Sequence, residues 1–273
     1  MTVVSVGDIH LDYERTGAGP PLLLIMGMSG TALSWGEPFL AELRRDFDVI
    51  AYDHRGVGAS TRLDGPITIR EMADDAAGLL DALKIDSAHV LGISMGGMIA
   101  QELALAAPER IRTLALGCTY CGGPGSERPA DEVLGRVERA RASGDRELAL
   151  RAFWEINVSP TFAADADAYQ RFVANAMRRA VAVEVIARQA QAIAGHDTSQ
   201  RLAQIALPTL VIHGTVDQLL PVHNGRMIAQ LIPAAQLEIF DGVGHLFFLE
   251  RPQRSAELLR TVKGTGEHAA VHA

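Results

Sequence analysis

The sequence predicts an α/β fold built on a mainly parallel sheet, and three observations predict it. Short runs of bulky aliphatic residues recur along the chain, each bounded by glycine, proline or aspartate. The runs are continuous and do not alternate, which suits strands covered by helices on both faces. Stretches with helical period lie between them, and strand–helix alternation of this kind builds a parallel sheet. Only the first segment, from Val3 to Arg15, alternates apolar and polar residues, as an antiparallel hairpin at a sheet edge does.

Taken in order, strands are expected around Leu22 to Met26 and Val49 to Tyr52. The stretch TIREMADDAAGLLDALK follows with a helical period. It gathers Ile69, Met72, Ala76, Leu79, Leu80 and Leu83 near one face and turns Asp74, Asp75 and Asp81 away. Thr68 stands before it as an N-cap, with Glu71 three residues on. A strand at Val90 to Ile93 runs straight into the helical stretch GGMIAQELALAAPE, and another strand covers Leu114 to Leu116. From Gly123 to Ile205 no strand is expected. Three Ala- and Arg-rich helical patterns fill this stretch: ADEVLGRVERARA, DRELALRAFWEI and DAYQRFVANAMRRAVAVEVIARQAQAI. It is too long for a plain connection and reads as a helical insertion. Strands return at Leu210 to Ile212 and Leu237 to Phe240. Each is followed by a helix, HNGRMIAQLI and then RPQRSAELLRTV, the latter starting after Pro252. The division is therefore 1–122 and 206–273 for the core and 123–205 for the insertion. The tail KGTGEHAAVHA is small and polar and is expected to fray, with His268 and His272 solvated.

Composition narrows the function. Of 273 residues, 48% are hydrophobic and 21% charged, enough apolar matter for a large core. A formal net charge of −8 argues against nucleic acid or an anionic membrane surface as main partner, since both need a basic footprint. Only Lys84 and Lys263 are lysines among the basic residues, a bias read as genome habit. No basic segment followed by a long apolar one opens the chain, and PPLLLIMG is too short to span a bilayer, so a cytoplasmic protein is expected. Cys118 and Cys121 form one C-x-x-C pair with no second pair. They are read as small apolar residues at a strand end in a reducing compartment.

The chemistry is expected at Gly92-Ile93-Ser94-Met95-Gly96, where a strand becomes a helix. The two glycines leave room for the turn, and strain there holds the Ser94 hydroxyl out at the carboxyl ends of the strands. A hydroxyl becomes nucleophilic only when a base takes its proton. Of the nine histidines, His10 lies on the edge strands, His89 at the wrong end of a strand, and His196 in the insertion. His54, His213 and His223 stand near strand ends or helix starts. His245 is the favoured base, because it follows a strand in the glycine-flanked loop DGVGHLFFLERP. Asp217, four residues beyond a strand end at His213, is the expected carboxylate to orient it. GCTYCGG offers no rival acid, Asp53 precedes the serine and is expected with Arg55 to tie its own loop, and Asp241 sits close in sequence to His245. The N–H groups of Met95 and Met28 are the expected donors to a developing oxyanion, with both methionine side chains facing substrate.

With PPLLLIMG, DHRGVGAS, GISMGG, HGTVDQLLP and GVGHLFFLERP in this order, the chain resembles the α/β-hydrolase superfamily over nearly its whole length. Within it, the chain resembles small bacterial esterases, enol-lactonases and cofactor-free haloperoxidase-like proteins. The order Ser94, Asp217, His245 is the one such hydrolases use. The resemblance implies a mainly parallel eight-stranded sheet, a helical cap inserted between strands 6 and 7, and neither metal nor organic cofactor. Where many relatives have His-Gly and then proline, this chain has Met26-Gly27 and Ser29, a form also found in relatives resembling polyketide methylesterases. Serine at 94 argues against the branches that carry an aspartate nucleophile.

The expected function is a serine hydrolase that opens a carboxylic ester or lactone of a small, largely apolar substrate through an acyl-enzyme. Its pocket would include Gly27, Trp154, Leu219 and Leu246, with packing inside the cap as the other reading for Trp154. The alternatives are a C–C bond hydrolase or a perhydrolase or haloperoxidase on the same residues, and a non-catalytic small-molecule sensor. A homo-oligomer is left open.

Overall fold

The aliphatic runs fold into one eight-stranded sheet in the computed structural model, which describes residues 2–233 and 235–270. The strands are β1 (Thr2–Val6), β2 (Ile9–Gly17), β3 (Pro21–Ile25), β4 (Asp48–Tyr52), β5 (Ala88–Ile93), β6 (Ile111–Gly117), β7 (Thr209–Gly214) and β8 (Ala235–Phe240). They lie in the order β1-β2-β4-β3-β5-β6-β7-β8. The alternating first segment forms the antiparallel edge hairpin β1–β2, and β2 also meets β4 antiparallel; every other pair is parallel. Parallel pairing brings the carboxyl ends of six strands to one edge, so the residues just after Ile25, Tyr52, Ile93, Gly117, Gly214 and Phe240 become neighbours.

The helices are α1 (Glu37–Leu43), α2 (Ile69–Ala82), α3 (Met95–Ala106), α4 (Asp131–Ala142), α5 (Arg146–Asn157), α6 (Pro160–Ala163), α7 (Ala166–Arg178), α8 (Val183–Ala194), α9 (Val222–Leu231), α10 (Phe247–Glu250) and α11 (Pro252–Ala270). Successive side chains of a strand point to opposite faces. Accordingly Val90 of β5 packs with Met72, Leu79, Met98 and Ile228 of α2, α3 and α9, while Leu91 and Ile93 pack with Phe39, Leu43, Phe248 and Leu259 of α1, α10 and α11. Both faces are covered, as the continuous apolar runs require. Among the described residues no helix is long and apolar enough to cross a membrane. The helix α11 continues to Ala270, into the tail expected to fray. His272 and the side chain of His268 lie outside the described residues.

Local signals explain most boundaries. Thr68 caps α2 by accepting the Glu71 N–H, and the Glu71 carboxylate accepts the Thr68 N–H. One expectation on this helix is corrected. Asp75 does not face solvent but is buried, and it takes both Nε and Nη2 of Arg55 at 2.6 Å. Arg55 thus ties its loop to α2, while Asp53 bonds elsewhere, so the two do not tie the loop to each other.

Between β6 and β7 stand α4 to α8, with no strand among the described residues. Trp154, Val158, Ala168 and Tyr169 form a small core of their own, against which Leu246 and Leu249 pack. The long pattern from Asp167 to Ile193 is not one helix. It breaks at Arg179 (φ −145°, ψ 80°) into α7 and α8. The break lets Arg179 leave the helical path and reach the buried carboxylates of Asp12 and Asp53 in the core.

After α8 the chain re-enters the core through a polar junction. The hydroxyl of Thr198 donates to Gln101 Oε1 at 2.6 Å, Gln101 Nε2 donates to the Tyr120 carbonyl, and Arg201 clamps Glu102 through two nitrogens. His196 is buried among them, and burial pushes its pKa down to about 4 despite the opposing pull of Glu102. The folded state therefore holds His196 neutral, whereas an unfolded chain protonates it near its ordinary value of about 6.5. The stabilisation is complete above that value and is lost as pH falls toward 4, by about 2 kcal/mol at pH 5. His54 is lowered by burial in the same direction. Urea unfolding at pH 7.5 and pH 5 should show a smaller acid loss for His196→Gln than for wild type. Equal losses in both would contradict this account.

Candidate functional site

The expected nucleophile, acid and base all stand at the carboxyl edge of the sheet, each one to five residues past a strand end. Ser94 sits between β5 and α3 with φ 56° and ψ −123°, a left-handed conformation that costs a residue with a side chain about 1–3 kcal/mol. Its N–H donates to the Gly117 carbonyl at 2.9 Å, and its carbonyl accepts the Thr119 hydroxyl at 2.7 Å. The flanking glycines are required by contact. A Cβ on Gly92 would lie 2.1 Å from the Gly96 carbonyl oxygen, and one on Gly96 would lie 2.0 Å from that of Ile25. Among the described residues the Ser94 hydroxyl makes no hydrogen bond, and the first N–H groups of α3 beside it have no intrahelical acceptor.

Asp217 and His245 meet directly. Nδ1 of His245 lies 2.7 Å from Asp217 Oδ2, and both residues are buried. A carboxylate only accepts, so Nδ1 carries the proton and Nε2 keeps its lone pair. Among the described residues Nε2 makes no hydrogen bond, and none joins it to Ser94, a bond often long before substrate arrives. Asp217 is held from several sides. Its Oδ1 accepts the N–H of Leu219 and Leu220 at 2.9 Å each. His213 Nε2 lies 3.4 Å from Oδ2 and donates to the Leu220 carbonyl at 2.7 Å. Burial alone would raise the Asp217 pKa, but the two histidines outweigh it and hold the carboxyl well below the usual carboxylate range. Such an imidazole can take a proton at Nε2 and share the resulting positive charge with a fixed anion.

Cys118 forms the floor. Its Sγ, an Asp217 oxygen and a His245 nitrogen lie within 4.8 Å of one another, a set of donor types that could hold a metal ion. Burial pushes the thiol pKa up, with the Asp217 charge adding to it, so at neutral pH the metal-free group is S–H.

The loop after β3, where an oxyanion donor is expected, borders Ser94. Gly27 lies against the nucleophile: a Cβ there would be 3.1 Å from Ser94 Cβ and 3.6 Å from Oγ. Among the described residues the Met28 N–H makes no hydrogen bond. Met95, at the first position of α3, has no helical carbonyl to bond. The Met95 side chain is fully buried and belongs to the core cluster, while Met28 is only partly buried. Trp154 is corrected. Its indole is fully buried inside the cap core and donates to the Ala163 carbonyl at 3.3 Å, so the packing reading holds. Leu219 and Leu246 flank Asp217 and His245 in sequence and are half-buried.

The helical insertion and the loops around Ser94 and His245 are joined on two sides, which sequence reasoning missed. The Leu246 N–H donates to the Asn157 carbonyl at 2.8 Å, and Glu250 accepts the N–H groups of Gly244 and Ser159 and the Ser159 hydroxyl. On the other side, three cap residues hold the loop after β3. Gln189 accepts the Ser29 N–H at 2.9 Å, Asn175 donates to the Leu33 carbonyl at 3.1 Å, and Arg179 bonds Asp53, which itself accepts the Ala32 N–H at 2.7 Å. The only sequence sign of these ties is a polar residue interrupting an Ala-rich helical stretch.

The chain is similar to known proteins over nearly its whole length. The model of the alpha/beta hydrolase fold family matches residues 20–252. A provisionally named carbamate hydrolase from Azorhizobium caulinodans is 36% identical, over 93% of this chain and 94% of its own. A 2-hydroxymuconate semialdehyde hydrolase from a Pseudomonas strain is 32% identical, covering 98% and 95%. Among solved structures, the enol-lactonase of Burkholderia xenovorans superposes with a TM-score of 0.77 at 30% identity, over 96% of this chain and 99% of that one.

Proposed function

The chain belongs to the alpha/beta hydrolase fold family, and on that premise we propose that it hydrolyses a carboxylic ester or lactone of a small molecule through an acyl-enzyme on Ser94. Ser94 Oγ attacks the carbonyl carbon while Nε2 of His245 takes the hydroxyl proton. Asp217 fixes the ring and balances the imidazolium. The N–H groups of Met28 and Met95 receive the oxyanion, His245 returns the proton to the leaving alcohol, and water then repeats the sequence to free the acid. Residues 123–205 act as the cap over this site, with Gly27, Leu219 and Leu246 beside the bound substrate. The observation that carries the reading is the buried 2.7 Å contact between His245 and Asp217 on the same sheet edge as Ser94, whose backbone is strained and whose hydroxyl makes no hydrogen bond among the described residues. Two free, buried cysteines support a cytoplasmic location.

The test is covalent. A fluorophosphonate should form an adduct on folded protein, located to Ser94 by peptide mass spectrometry and lost in His245→Ala. A folded protein that stays unlabelled would sink the assignment. The likeness to a 2-hydroxymuconate semialdehyde hydrolase supports C–C bond cleavage as the second reading. Parallel assays on a p-nitrophenyl ester, a γ-lactone and a vinylogous 1,5-diketone separate the two.

A further inference from the structure

Gln189 carries a donor that has no partner among the described residues. Its side chain is fully buried, and its Oε1 accepts the Ser29 N–H. That bond fixes the amide orientation, because only the oxygen can accept from an N–H. The two hydrogens of Nε2 are then committed to the other side, where no hydrogen-bond partner meets them. Buried donors are nearly always satisfied, so an orphan of this kind asks for a missing acceptor.

The surroundings of α8 say where that acceptor arrives. Val185, one turn before Gln189, packs on Gly56 in the loop after β4. Gln189 bonds the loop after β3. The Ile193 carbonyl, one turn further, accepts the Tyr120 hydroxyl from the segment after β6. In the sheet the order is β4, β3, β5, β6, so the segments that α8 touches flank β5, the strand that delivers Ser94. Ser29, held at φ 59°, is two residues from the Gly27 that touches Ser94.

We propose that Gln189 is a substrate-binding residue whose Nε2 donates to a second oxygen acceptor on the substrate, a ketone or carboxyl oxygen remote from the carbonyl that Ser94 attacks. The substrate class is then an oxo- or carboxy-substituted acyl compound and not a plain alkyl ester. The inference rests on the reading of Ser94 as the reacting residue. In one amide the two roles combine: Oε1 holds the loop that offers the Met28 N–H, and Nε2 reads the bound acyl chain.

The experiment compares p-nitrophenyl hexanoate with its 3-oxo, 4-oxo and 5-oxo derivatives. Binding to Ser94→Ala protein is measured by calorimetry, and kcat/KM is measured on protein with Ser94 intact. With Gln189 present, at least one oxo ester should bind about tenfold tighter than hexanoate, and Gln189→Glu, which keeps an acceptor for Ser29 but loses the donor, should erase that preference. Gln189→Met serves if the buried charge of Gln189→Glu prevents folding. The readout is a ratio between two ligands of equal length, which a purely structural role of Gln189 leaves unmoved. No preference for any oxo ester, or a preference that survives both substitutions, overturns the proposal. A preference in binding without turnover by wild type would instead overturn the hydrolase reading and leave Gln189 as the recognition residue.

Discussion

Ser94→Ala is expected to lower kcat/KM for a small p-nitrophenyl ester by on the order of 10⁴-fold or more, and His245→Ala by a similar factor. The stronger expectation concerns the double variant. If the hydroxyl is nucleophilic only because the imidazole takes its proton, the ring has nothing to do once the hydroxyl is gone. Ser94→Ala with His245→Ala should then be no slower than Ser94→Ala alone, within about threefold. Independent contributions would multiply instead. Residual activity should persist in all three, because the proposed oxyanion donors, the N–H groups of Met28 and Met95, are left in place. Asp217→Asn is a finer probe. The carboxylate accepts from His245, Leu219 and Leu220 through both of its oxygens, and an amide can accept at only one of its two positions. The His245 ring is then free to adopt the tautomer that protonates Nε2, which removes the base. Wild-type rates in Ser94→Ala would end the argument for a serine nucleophile.

These residues were legible because each depends on short-range information. A strand shows as an aliphatic run, and the loop after it shows as glycine, aspartate or proline. Ser94, Asp217 and His245 each follow such a run within five residues. Parallel pairing then makes neighbours of loop residues far apart in sequence, so placing them needed only the rule that ligands bind at the carboxyl ends of the strands. The cap was legible as helix but not as machinery. Arg179 and Asp12 are 167 residues apart, and their pairing requires a helix break that no proline or glycine announces. Asp75 looked solvated because aspartate usually is. What buries it is Arg55, arriving from a loop twenty residues earlier. Trp154 could have lined a pocket or filled the cap, and only the arrangement of Phe162, Tyr169 and Phe172 around it decides for packing.

Arg179→Met is expected to destabilise the protein by about 3 kcal/mol, a fall in Tm of roughly 6–12 °C, although Arg179 lies on the cap and its side chain is partly exposed. The cause lies on the core side. Asp12 and Asp53 are buried and both bond the same Nη1 of Arg179. With the guanidinium gone, two buried carboxylates face each other, and each loses its neutralising partner. Breaking a buried pair from one side costs far more than the pair contributes net. Adding Asp12→Asn to Arg179→Met removes one of the two like charges, so the second substitution should recover part of the loss and not deepen it. The same variant bears on activity through Asp53, whose other oxygen holds the Ala32 N–H in the loop that carries Gly27 and Met28. A melting temperature within one or two degrees of wild type for Arg179→Met, or a further drop on adding Asp12→Asn, would show that the cap is not fastened to the core by this charge cluster.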